Sequence, residues 1–116
     1  MRRARRPKQR DMVTTSREVL DGAPITIVVA WDAGWMLISG RESDHSEPLA
    51  VHFHDLCELD VSLYSLRLTI GQYAVRAPYG TTWHVYGPMD LDDLDDALTS
   101  GRVVDQLQAL ADGDRA

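Results

Sequence analysis

His52-Phe-His54-Asp-Leu-Cys57 is the densest local group of side chains able to do chemistry in this chain of 116 residues. On an extended strand, residues two apart project to the same side, so His52 and His54 could grip one metal ion through their imidazoles. Cys57, Asp55, His45 or His84 could then complete the ligand set. The spacing argues against this, because no CxxC, no HExxH and no second histidine pair accompanies them. Two histidines on the solvent side of a half-buried strand is the simpler reading. A metal-binding domain, or a small metal-dependent enzyme using His52 and His54, stands as the alternative. Cys57 makes a poor nucleophile. It lies between Leu56 and Leu59, where a buried thiol is common, and Asp55 and Glu58 disfavour its thiolate. The chain also lacks a G-x-S-x-G elbow, a phosphate-binding glycine loop and a dinucleotide fingerprint. These residues predict a protein that is not an enzyme and uses no cofactor.

Charge singles out the two ends. The net charge of −6 is split unevenly, with +5 over residues 1–18, −5 over 19–86 and −6 over 87–116. A basic arm can hold nucleic acid or anionic lipid by charge alone, but a disordered, solvated tail is the simpler expectation for residues 1–18. Its residues 1–10 have only Met1 and Ala4 as apolar anchors and are expected to be dispensable for folding. Met12 is a second candidate for the first residue of the native chain. The acidic remainder repels nucleic acid, which is therefore not the expected partner. Asp90-Leu-Asp-Asp-Leu-Asp-Asp96 is the clearest surface feature. On a helix its leucines turn inward and Asp92, Asp93, Asp95 and Asp96 face outward, either as a solubilising face or as a docking patch for a basic protein.

The elements that must position these groups follow from periodicity. Hydrophobic residues make up 44% and charged residues 26%, the balance of an ordinary soluble domain, and the length suits one core. No apolar run approaches the ~20 residues of a membrane span, and the basic start does not resemble a secretory signal. The single cysteine fits a reducing, cytoplasmic setting. Ile25–Trp31 is rich in β-branched residues and reads as a buried strand, followed by a short Asp32-Ala33-Gly34 connection and a second strand over Trp35–Ser39. Residues 41–48 read as a loop. Leu49–His54 alternates as a strand, and helical spacing begins at Leu56, with Asp60 as a cap. Gln72–Ala77 and Thr81–Tyr86 are strands joined by a Pro78-Tyr79-Gly80 turn in which glycine takes the left-handed position. Trp31, Trp35 and Trp83 are expected core anchors. Asp90 is the natural cap of a first terminal helix, Gly101 breaks it, and Val103 to Ala111 supply the stripe of a second. This order predicts an α+β domain over 19–116. It consists of a small, mostly antiparallel sheet of four to five strands with short helical insertions, carrying its carboxy-terminal helices on one face. The acidic helical end spans 90–112.

Asp32-Ala-Gly-Trp-Met-Leu-Ile-Ser-Gly-Arg-Glu42 resembles the D-x-G-W-x-x-x-S-G-x-E signature of a small bacterial family, the immunity-protein family thirty-three-like, formerly a domain of unknown function. The likeness continues through Asp55-Leu-Cys-Glu-Leu-Asp60, Leu63, Ile70-Gly71 and Arg76, and so covers residues 25–86. It implies structural roles: Asp32 and Gly34 shape the hairpin, Trp35 anchors it, Ser39 and Gly40 turn the chain out, and Ile70 and Gly71 set up the next strand. It also implies a function, since members are predicted, mostly from gene neighbourhood, to neutralise polymorphic toxins. A non-enzymatic binding protein that masks a basic toxin is accordingly the expected activity.

Overall fold

The computed structural model describes residues 5–43 and 45–113. Its strands are β1 (Met12–Thr15), β2 (Ile27–Trp31), β3 (Gly34–Ile38), β4 (Leu49–His52), β5 (Tyr73–Val75) and β6 (His84–Tyr86). They form a sheet in the order β4-β1-β3-β2-β5-β6. β1 runs parallel to β3, and the other neighbouring pairs are antiparallel. The helices among the described residues are α1 (Arg17–Leu20), α2 (Phe53–Leu59), α3 (Leu91–Thr99) and α4 (Arg102–Gly113), with a 3₁₀ turn at Val61–Ser65. The fold is α+β. It has six strands rather than four to five.

β2 explains why the apolar run is unbroken. Side chains alternate along a strand, so a strand covered on both sides reads as continuous hydrophobicity. Val28 and Ala30 enter one layer with Val13, Trp35 and Leu37, closed by Phe53, Leu56 and Cys57 of α2 and by Leu63. Ile27 and Val29 enter the other layer with Tyr73 and Val75, closed by Leu94 and Ala97 of α3 and by Val103 and Leu107 of α4. The terminal helices do occupy one face. The 3₁₀ turn and α2 occupy the opposite one.

The largest departure from the sequence reading is at the start. Residues 12–18 are counted there with a disordered arm, yet β1 lies inside the sheet between β3 and β4. Met12-Val-Thr-Thr15 is a short β-branched stretch whose Val13 and Thr15 are buried, and the run of arginines beside it masks the signal. The residues before β1 are tied down too. Arg5 and Leu68 exchange main-chain hydrogen bonds of 3.2 and 2.9 Å. Arg6 lies 5.1 Å from the ring centre of Tyr64.

The same segment changes the fate of the His52–His54 stretch. The strand stops at His52 and a helix begins at Phe53, so the two histidines do not share a strand face. The amide of Phe53 donates to the Asp11 carbonyl (2.9 Å) and that of His54 to the Gln9 carbonyl (3.0 Å). Two of the orphan donors that open a helix are thereby satisfied, which matters because His52 supplies no side-chain cap. Phe53 turns inward and meets the Trp35 ring edge-on at 5.8 Å.

Two turns depend on unusual backbone. A Cβ on Gly71, which has φ +96, would strike the carbonyl oxygen of Met89, so glycine there lets the segment before α3 lie against the start of β5. In the Ala77–Gly80 turn, closed by the Gly80 amide on the Ala77 carbonyl at 2.8 Å, Pro78 takes the first central position. The left-handed residue is Tyr79 (φ 61), not Gly80, and its side chain is 85% exposed. No helix among the described residues is long and apolar enough to cross a membrane.

Two outcomes follow from this packing. A chain beginning at Met12 loses the Arg5 pairing and both carbonyl caps of α2, and should unfold about 1–2 kcal/mol more easily in urea than the full chain. Trp35→Ala should cost about 3–5 kcal/mol by the same measurement, since the indole is 7% exposed and backs onto Phe53.

Candidate functional site

Ser39 leaves the end of β3 just as the chain must turn outward, and the turn is organised by one carboxylate. The Glu42 side chain accepts hydrogen bonds from the Ser39 amide (2.9 Å), the Ser39 hydroxyl (2.7 Å) and the Gly40 amide (2.8 Å). It also accepts from the hydroxyl of Ser16 at 2.7 Å. Ser16 caps α1 in addition, accepting from the Val19 amide. Glu42 thus ties the β3 exit to the junction of β1 and α1. Gly40 has φ +78, and a Cβ there would come within 2.9 Å of Leu107 on α4, so the turn also seats the terminal helix. Burial pushes the Glu42 carboxyl up, but the hydrogen bonds from Ser16 and Ser39 outweigh it and hold the group below its usual value of 4.5.

A second buried network sits across the sheet. Arg76, 5% exposed, follows β5 and forms an ion pair with Asp60, the cap of the 3₁₀ turn. Its guanidinium donates to the Ile25 carbonyl at 2.6 Å and to the Ser62 hydroxyl at 2.8 Å. The ring of Trp83 covers it at 4.2 Å, and the Trp83 indole nitrogen donates to Ser62 at 3.1 Å. Burial pushes the Asp60 carboxyl up, while Arg76 and Ser62 overcome that and leave it lowered. Asp60 and Arg76 lie far apart in the chain, and the structure joins them.

The signature residues therefore serve the frame. Trp35 is a core residue, Gly34 pairs with Trp31 across the hairpin, and Asp32 stands exposed at its tip. Ile70 and Gly71 form the turn into β5, with the Gly71 amide donating to the Ala30 carbonyl at 2.9 Å. Comparison with protein-family models, with curated proteins and with solved structures finds no match. The immunity-family likeness thus rests on these residues alone.

The other singled-out groups are dispersed. His52 faces Asp55 at 4.0 Å and His54 faces Glu58 at 3.0 Å, each with its own carboxylate. Among the described residues, no three His, Cys, Asp or Glu side chains are arranged to hold a metal ion. Cys57 is buried, and burial pushes its thiol up, further from the reactive thiolate. Trp31 and Trp83 are half-buried. On α3, Asp92, Asp93, Asp95 and Asp96 are exposed while Leu94 and Ala97 are buried, the outward placement their spacing predicts. Asp90 occupies the cap position of α3 through its backbone, without a side-chain cap bond. Ser62 lies beside the expected cap Asp60, whereas Ser16 is not marked by its type. A serine three residues ahead of a buried valine, and an Asp-x-Ser step, are the local capping patterns that mark them.

Glu42 and Asp60 set the acid limit of stability. A carboxyl whose pKa is lowered by folding stabilises the native state above its unfolded value, and that contribution disappears as pH falls through the folded value. The melting temperature should be flat near neutrality and fall below about pH 4.5. Glu42→Gln should lower the melting temperature at pH 7 and shrink the difference between pH 7 and pH 3.5, as read by thermal scans at both.

Proposed function

We propose that the chain is a non-enzymatic protein-binding domain, a bacterial immunity protein of the cytoplasm that neutralises a basic toxin by covering it. The observation that carries this reading is the outer face of α3. Four carboxylates, Asp92, Asp93, Asp95 and Asp96, stand in solvent on a helix that Leu94 and Ala97 fix to the sheet. Arg102 lies 3.7 Å from Asp96. Like charges held together on a rigid element raise the local potential and steer an oppositely charged protein into contact. The family likeness of residues 32–42 supports the same reading. The polar groups of that stretch that make side-chain bonds, Ser39 and Glu42, are engaged in the frame.

The test starts from the partner. A tagged copy is recovered from the native host, and the captured protein is identified by mass spectrometry. Expression of the chain should then protect cells against that protein. Changing all four aspartates to Asn should slow association and flatten its dependence on salt, with dissociation much less affected. The fold should survive, because surface changes cost within about 0.5 kcal/mol each, with Asp92 and Asp93 at the upper end as first-turn acids. Equal association rates at two ionic strengths would remove α3 from the interface.

A further inference from the structure

The segment before β1, the tip of the β2–β3 hairpin and residues 68–70 enclose a cleft of about 660 Å³. That volume lies within the range of roughly 300–1,000 Å³ typical of small-molecule sites. Its chemistry is graded from the inside out. Ala30, Trp35 and Leu68 are buried and give it an apolar base. Arg5 and Lys8 are exposed and supply two cations, and Arg6, which lies over the Tyr64 ring, adds a third to the lining. Thr69 also lines the cleft. Two carboxylates also line the cleft. The Asp11 side chain accepts from the Lys8 amide at 2.8 Å and so closes the local turn, while Asp32 stands at the exposed hairpin tip.

We propose that this cleft binds a small molecule carrying an anionic group on a flat apolar body. The body rests on the apolar base and the anion meets Arg5 and Lys8. Charge-assisted contacts to a carboxylate or phosphate are the strongest available to the two cations, and they lie where a ligand seated on the base would emerge. The docking of Arg5 to Leu68 uses main-chain atoms, and its side chain makes no hydrogen bond or ion pair among the described residues. The site is independent of the acidic face of α3 and stands whether or not that face binds a toxin.

The experiment is an amide-resolved NMR titration of the full chain with AMP and with indole-3-acetate, using adenosine and inorganic phosphate as controls. Saturable shifts at Gly34, Leu68 and Thr69 are expected with at least one of the two anionic aromatics, and binding at least about tenfold weaker for both controls. Which of the two binds tells phosphate from carboxylate. Arg5→Ala with Lys8→Ala should weaken binding about tenfold or more while leaving the melting temperature in place, since the Leu68 pairing is kept. Absence of saturable shifts from either ligand up to about 5 mM overturns the proposal. So do shifts that map away from the cleft, or an affinity unchanged in the double variant. Binding of a short oligonucleotide in place of AMP would overturn it too, and would move the basic segment to a nucleic-acid role.

Discussion

A guanidinium taken out of water must recover both a counter-charge and its hydrogen bonds, or it destabilises the fold that buries it. Arg76 recovers the counter-charge and the bonds of its terminal nitrogens from three separate parts of the chain: the Ile25 carbonyl ahead of β2, Asp60 and Ser62 at the 3₁₀ turn, and the face of Trp83 ahead of β6, while its Nε has no partner among the described residues. None of these segments is close to another in sequence. Each must arrive at its final place for the charge to be matched, so one residue enforces the mutual position of the sheet and the layer that covers it. Glu42 plays the reciprocal part with opposite charge. It gathers amides and hydroxyls from Ser39, Gly40 and Ser16, and holds the far end of β3 to the first helix.

The sequence made the hairpin legible because its two strands are strongly apolar and their connection is two residues long. It also made the terminal helices legible, since Leu91, Leu94 and Leu98 recur at helical spacing beside exposed acids. β1 was obscured because four residues offer too little periodicity to stand out beside a run of arginines, and its pairing with β3 and β4 is entirely long-range. The alternation through His54 misled for a related reason. A strand pattern of six residues is overridden when carbonyls from another segment take up the next two amides, as those of Asp11 and Gln9 do here. Pro78-Tyr79-Gly80 shows the limit of turn chemistry. The identity of the turn is visible, but which residue takes the left-handed position depends on where the flanking strands place it.

The same distinction runs through the candidate sites. The outward direction of Asp92, Asp93, Asp95 and Asp96 is a local property of helical spacing, and local properties can be read from the chain. The roles of Glu42 and Arg76 are properties of convergence. Glu42 stands in the motif with Ser39 but without Ser16, and Arg76 shares the likeness with Asp60 without any spacing that pairs them. A D-x-G-W-x-x-x-S-G-x-E pattern can therefore identify a way of building a hairpin and its exit turn more directly than it identifies what the finished surface contacts.

The sheet order also dictates an order of assembly. β2 and β3 are joined by a tight turn and can pair as soon as both exist, on the microsecond scale typical of hairpins. β1 is the earliest of these strands in the chain, yet it must wait for β3 to provide its parallel edge, and β4 can join only afterwards because β1 is its sole neighbour in the sheet. During synthesis the first strand to emerge is thus left without a partner while more than twenty further residues are added. Closure of that loop brings a basic segment back across the hairpin, while the longest closure about the hairpin sets β5 against β2.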